Sequence, residues 1–228
     1  MINFSEEEVI ETYQRHVLKD DHYYSKYEIL PMEMNQKNWR WEGKDFPRIR
    51  TILEFNEWIE KYDLKHFGKV LATCYNDPEL EYITYDSIDF AIYENGRNDL
   101  HTLDLPEKNY DIVIINQTIE HLYNPFTALQ RIFEHIKPGG YLFTSVPTIN
   151  IPHMTPFHFN GYTPTGLCML MKSVGFEIVE VGFWGNTDYI ERIFRTGNWP
   201  DYRELSNGGI IRNERDKNAQ CWTLVRKM

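Results

Sequence analysis

Two stretches hold the side chains whose types and spacing best suit chemistry. In Asn116-Gln117-Thr118-Ile119-Glu120-His121 a carboxylate and an imidazole adjoin just past an apolar run. In Pro147 to Pro164, PTINIPHMTPFHFNGYTP, His153 and His158 stand five residues apart, with Asn150, Thr155 and Asn160 around them. An imidazole changes charge near neutral pH, so His121, His153 and His158 are candidate general bases able to take a proton from a hydroxyl. Either loop histidine could instead bind a phosphate, or simply hydrogen-bond a loop carbonyl. Glu120 has the same two readings, a substrate contact or a buried carboxyl held by backbone amides. His153, His158 and a carboxylate are a conceivable metal set, but the spacing matches no recognised zinc pattern and no metal site is expected.

The elements that must position these groups are legible around them. Asp111-Ile-Val-Ile-Ile115 reads as a strand buried on both faces. Asn116 to Asn124 is then a loop at its carboxyl end, where open α/β sheets bind ligands. Pro125 opens a helix with Phe126, Leu129, Ile132, Phe133 and Ile136 at helical spacing, and Pro138-Gly139-Gly140 stops it. Tyr141 to Val146 is the next strand, completing a right-handed β-α-β unit. Prolines 152 and 156 stiffen the long loop after it. Thr163-Pro164 caps a helix ending at Gly175, Phe176 to Phe183 is a strand, residues 189–194 mark a helix, and Cys221 to Arg226 is the last strand. Upstream, Gly68 to Cys74 and Glu81 to Asp86 read as strands, too close together for a helix of three turns between them.

The 228 residues carry a net charge of −10, with 42% hydrophobic, 25% charged and 15% aromatic side chains. That is an ordinary globular balance with room for a full core. The negative charge argues against a phosphate-backbone surface, so no nucleic-acid partner is expected. Cys74, Cys168 and Cys221 form no CxxC pair, as in a reduced, cytoplasmic protein. No apolar run is long enough to span a membrane, so no membrane association is expected. A homodimer remains open.

The run YDIVIINQTIEHLYNPFTALQRIFEHIKPGGYLFTSVP resembles the fourth and fifth strands of class I S-adenosylmethionine-dependent methyltransferases, more narrowly the small-molecule group with an EH pair and a KPGG turn. HFNGYTPTGLCMLMKSVGFEIVEVG is similar to the same group further on, and the likeness covers roughly residues 68–182. It implies a Rossmann-like α/β sheet, mostly parallel with its last strand antiparallel, and S-adenosyl-L-methionine as cofactor. In that layout Cys74, Asn76 and Asp77 (with Tyr75) would hold the methionine end. Asp86, closing the second strand, would accept from the ribose, with Asp89 as alternative. Asp99 and Leu100 would meet the adenine, with His101 able to replace Asp99. Asn116 and Gln117 would lie beside the reactive methyl group, and Asn150 and Asn160 would face the acceptor. One departure is plain: the family's Gly-x-Gly-x-Gly turn after the first strand is here Ala72 to Leu80, without a glycine, and its helix is deleted or reduced to one turn.

Residues 1–67 read as an N-terminal helical cap or lid, and 68–228 as the methyltransferase-like α/β domain. Ser5 and Glu8 form a capping box, and Ile49 to Ile59 a helix on the sheet edge. The aromatic segment between them carries Trp39 and Arg40, which, with Arg48, either cover the domain or grip an acceptor in the cleft. The expected activity is methyl transfer to an oxygen of a small polar acceptor, such as a sugar, nucleotide-sugar or sugar-phosphate in glycan biosynthesis. The competing expectation is a catalytically inactive binding or scaffold protein that has lost its cofactor.

Overall fold

Alternate side chains of the Asp111–Ile115 run point to opposite faces of a sheet, and both faces are covered. The computed structural model describes residues 4–27, 45–94, 96–153, 157–200 and 211–228. Among these, six strands form one sheet: β1 (His66–Ala72), β2 (Thr84–Phe90), β3 (Tyr110–Asn116), β4 (Ile136–Pro147), β5 (Phe176–Trp184) and β6 (Gln220–Lys227), in the order β2-β1-β3-β4-β6-β5. The first four pair in parallel, and β6 is antiparallel to both β4 and β5. This is the Rossmann-like sheet the sequence implied.

The helices are α1 (Glu6–Thr12), α2 (Asp21–Ser25), α3 (Phe46–Lys61), α4 (Pro125–His135), α5 (Pro164–Val174) and α6 (Thr187–Thr196). On one face Leu129 and Ile132 of α4 and Leu167 and Met171 of α5 share a core cluster with Val113, Ile115 and Leu142. On the other, Phe46, Phe55 and Trp58 of α3 and Tyr189 and Ile193 of α6 join Ile112, Ile114 and Phe143. The period of two along β3 thus feeds two cores, which is why its sequence is apolar throughout. Fully burying each such side chain contributes about 1.5–3 kcal/mol before conformational entropy is counted. The first part of β4 needs its second glycine, since a Cβ on Gly140 would lie 2.7 Å from Ile136 Cγ2 and 2.9 Å from the Tyr110 carbonyl.

The N-terminal segment is tied down by a buried cation. Arg50 is fully buried, its Nε donates to Glu54 Oε1 at 2.8 Å, and its Nη2 reaches the Tyr23 carbonyl at 3.1 Å. Glu54 also accepts from Trp222 Nε1 on β6 at 3.1 Å, so helix, N-terminal segment and sheet share one polar knot. The predicted capping box at Ser5 and Glu8 is present. Trp39, Arg40 and Thr155 lie outside the described residues. No helix among the described residues is long and apolar enough to cross a membrane.

The sequence reading starts β4 late, since Ile136 and Pro138-Gly139-Gly140, expected to end the helix, lie in that strand, and it misplaces β2. β2 runs Thr84–Phe90, not Glu81–Asp86, because Pro78 starts a single 3-10 turn (Pro78–Tyr82) that occupies residues assigned to the strand. The expected one-turn remnant is therefore there, and the strand is displaced toward the C-terminus.

Candidate functional site

The loop after β1 is organised by charge instead of glycine. Asp77 and Glu79 flank Pro78, and both are buried. Arg48, from the first turn of α3, reaches across to them: its guanidinium pairs with Glu79 through both nitrogens, Nη2 to Oε2 at 2.7 Å, and lies 3.5 Å from Asp77 Oδ1. Burial, followed by the Glu79 charge, pushes the Asp77 carboxyl up to about 7, and Arg48 opposes that rise. Asp77 and Asn116, at the carboxyl ends of β1 and β3, are buried, and the Asn116 side chain lies close enough to oppose the rise of the Asp77 carboxyl, although Asp77 Oδ2 and Asn116 Nδ2 form no well-aligned hydrogen bond. Cys74, Tyr75 and Asn76 are exposed on the same loop.

Asp86 does not close the second strand. It is the third of the seven residues of β2, beside His66 at the start of β1, with Nε2 to Oδ1 at 3.4 Å and a side chain 73% exposed. That is the amino end of the sheet, away from the loops that could meet a ligand, and the displacement of β2 is the reason. Asp89 is nearer the carboxyl end, where it accepts from the Tyr110 hydroxyl at 2.8 Å. Asp99 accepts from both the backbone and ring nitrogens of His101, at 3.0 and 2.6 Å. The other ring nitrogen of His101 accepts from the Asn124 amide at 3.3 Å, and the ring stacks on Tyr123 at 4.0 Å. His101 is thus fully engaged in holding this loop. Leu100 is buried in the core beneath it.

The β3 and β4 loops are sewn together, and that brings three histidines into one place. The Glu120 carbonyl accepts from the Phe159 and Asn160 amides at 2.7 and 3.2 Å, and Asn160 Nδ2 donates to the Leu122 carbonyl at 2.6 Å. His121 Nδ1 donates to the Phe157 carbonyl at 2.7 Å, which fixes the tautomer and leaves Nε2 with its lone pair. His153 Nδ1 is 3.2 Å from His158 Nδ1, and His158 Nε2 donates to the Asn160 carbonyl at 3.0 Å. Ring centroids of His121, His153 and His158 lie 4.7–6.1 Å apart. Burial holds His121 and His158 below the ordinary imidazole range, with the neighbouring imidazoles adding to it. Beside them Glu120 is fully buried, neither of its oxygens has a hydrogen-bond partner, and burial raises its carboxyl to about 8. One ligating atom from each of Glu120, His121 and His153 falls within 4.8 Å of the others. Linear spacing pointed away from a metal set because these donors come from two loops.

Gln117 sits between the two loops with φ of 48°, a left-handed backbone unusual outside glycine and typical of functional corners. Its amide donates to the Ser145 carbonyl at 3.0 Å, and Ser145 Oγ donates to Asn116 Oδ1 at 2.8 Å. A cavity of about 310 Å³ opens here, lined by Asp45, Arg48, Gln117, Asn150, His153 and Trp199 among others. Asn150 accepts from Trp199 Nε1 at 2.8 Å. Of the predicted residues, then, Gln117, Asn150, His153 and Arg48 share a cavity wall, while Cys74, Asn76 and Asp86 do not. Asp45 and Trp199 went unnoticed, although Asp before Phe-Pro at the start of α3 is a helix-entry signal.

A family model described as a methyltransferase domain matches residues 62–181. A curated protein of Mycolicibacterium smegmatis, named a probable S-adenosylmethionine-dependent methyltransferase, is 30% identical over 86 residues, 35% of this chain and 33% of its own length. The chain thus aligns with about a third of that relative. A solved structure from Bordetella parapertussis, titled as a possible exported protein, superposes with a TM-score of 0.50 at 13% identity, over 79% of this chain and 68% of that one. The N-methyltransferase NodS of Bradyrhizobium japonicum, in complex with S-adenosylhomocysteine, is also similar, at 13% identity over 91% of this chain and 99% of its own, with a TM-score of 0.48. With more than half of its residues under the family model, on the sheet described above, the chain belongs to the methyltransferase-domain family.

Proposed function

We propose that the protein transfers a methyl group from S-adenosylmethionine to an oxygen of a small polar acceptor, a sugar, nucleotide-sugar or sugar-phosphate. The relatives' names support the cofactor, and so do the residues at the rim. Asp77 Oδ2 and Asn116 Nδ2, buried without a well-aligned hydrogen bond, are an acceptor suited to an ammonium group and a donor suited to a carboxylate. Their placement fits the amino-acid end of the cofactor, whose sulfonium supplies an electrophilic methyl carbon when bound. Asp99, Leu100 and Gln117 complete the cofactor side, whereas Asp86 drops out of it on geometry. The acceptor enters along Asn150 and His153, with Arg48 on the same wall.

The single observation that carries the catalytic reading is the convergence of three imidazoles at the carboxyl ends of β3 and β4. Burial holds His121 below the ordinary imidazole range, so it stays neutral at physiological pH, and its free Nε2 can receive the acceptor's hydroxyl proton as the oxygen takes the methyl group. Most of the rate comes from orientation, since the leaving sulfur is already a good one. The test is calorimetry with S-adenosylhomocysteine, then methyl transfer to a panel of free and phosphorylated sugars with the product mass measured. Binding followed by a gain of one methyl group on oxygen is expected. No heat and no thermal shift at millimolar ligand would sink the reading. It would leave a non-catalytic binding protein, for which the Arg48–Glu79 closure of the first loop is the favourable observation.

A further inference from the structure

The geometry points to a divalent transition-metal site formed by Glu120, His121 and His153, with coordination positions left open toward the cavity. Donors from two loops meet there, with one ligating atom of each within 4.8 Å of the others. Two imidazoles and one carboxylate are the donor set that suits zinc, iron or manganese and leaves room for an exogenous oxygen.

Three independent features of the cluster fit a cation. Glu120 is fully buried, and both of its oxygens lack a hydrogen-bond partner, an arrangement that costs a protein about 1–3 kcal/mol per unmatched group. His121 donates from Nδ1 to the Phe157 carbonyl at 2.7 Å, so its unprotonated Nε2 is directed at Glu120 Oε1, 3.8 Å away. Orienting a ligand histidine through a backbone carbonyl on its far nitrogen is how metal sites fix the tautomer. His153 is placed in the same way, its Nδ1 lying 3.2 Å from the Ile151 carbonyl and 3.2 Å from His158 Nδ1. His158 is anchored to the Asn160 carbonyl and acts as a positioning residue. Metal–ligand bonds of about 2.0–2.2 Å require the three donors to draw in by roughly an ångström, which side-chain torsions on already fixed loops supply.

His153 also lines the cavity beside Gln117 and Asn150. An acceptor oxygen entering there would reach the open positions, where a cation would acidify its hydroxyl so that the proton passes to solvent water, His121 and His153 then serving as ligands and not as bases. This last step rests on the methyl-transfer reading. The metal site itself does not.

Chelator-stripped full-length protein titrated with Zn²⁺ in a calorimeter, and with Co²⁺ by visible absorption, tests the site. One ion per chain is expected, with a cobalt spectrum of nitrogen and oxygen ligation. Glu120→Gln and His153→Gln should each weaken Zn²⁺ binding at least tenfold, and Cys74→Ser, which removes the exposed thiol, should leave it unchanged. S-adenosylhomocysteine binding is measured on the same samples, so failure of the metal site and failure of the cofactor site are read separately. Circular dichroism confirms that each variant is folded, and should one not fold, the wild-type cobalt spectrum decides. Absence of stoichiometric Zn²⁺ binding, unchanged binding in both folded variants, or a sulfur-ligated cobalt spectrum overturns the proposal.

Discussion

The two halves of the sheet's ligand-facing rim solve the same problem in different ways. After β1 the loop is closed from within, with Arg48 locking Asp77 and Glu79 together under the exposed Cys74-Tyr75-Asn76 tip. After β3 and β4 the loops are tied to each other through backbone carbonyls, and their side chains are left facing a cavity. A glycine turn makes space by lacking side chains. Here the first loop is instead held in shape by an ion pair, and the adaptable chemistry is concentrated on the histidine side. Charge can therefore shape a loop where glycine is absent, but only with a partner supplied by a separate element, here α3.

That contrast is sharpest at Arg48. Arg48→Ala leaves two carboxylates buried without their cation and should cost about 3–5 kcal/mol in denaturant unfolding. A cost no larger than that of a surface substitution would mean the first loop is not held by charge. The histidine side should remain folded in a milder variant, Arg48→Lys, which keeps the charge but loses the two-nitrogen grip.

Asp77 gives the next largest effect. Its carboxyl is raised to about 7 in the folded state, above its ordinary 3.8. The folded protein therefore binds more protons than the unfolded chain between these values, and stability falls as pH rises from about 4 through 7. Asp77→Asn should flatten the decline measured by thermal unfolding across that window. The same substitution should weaken S-adenosylhomocysteine several-fold, because the negative charge that would meet the ligand's ammonium group is lost. Unchanged affinity would move the cofactor's amino-acid end off this loop.

The smallest effect expected is at Asp86. Exposed toward the amino end of β2 and beside the His66 ring, it should tolerate alanine with less than a twofold change in cofactor affinity and under about 0.5 kcal/mol in stability. A large loss of affinity would place the ribose at the opposite end of the sheet from the loops described above, and would break the comparison.

How far the sequence revealed this arrangement follows the same divide. The β3-α4-β4 unit was legible in its order and in its helix start, since Pro125 and the apolar periods are local signals, although β4 also takes in Ile136 to Gly140. The β1–β2 half was not. How far the turn that Pro78 begins extends into the expected strand depends on Arg48, thirty residues earlier and read as either a cover for the domain or a grip on the acceptor. Glu79 is invisible as a buried group until its partner is known. The same holds for the histidines: each was a candidate alone, but their meeting depends on backbone bonds between Glu120 and Phe159-Asn160, which no spacing rule encodes.

The position of β6 has a consequence for how the molecule comes into being. Within the sheet β5 pairs only with β6, and β6 is wedged between β5 and β4 although it is the last strand in chain order. During synthesis β5 must therefore wait, unpaired along both edges, until Gln220–Lys227 has emerged. The histidine-bearing loop after β4 waits as well, since the Thr148 and Ile149 amides at its root donate to the Ala219 carbonyl just before β6. Closure by a late, non-local strand makes the final step slow, and a nascent chain stalled just short of it would present the open edge of β4 to its neighbours.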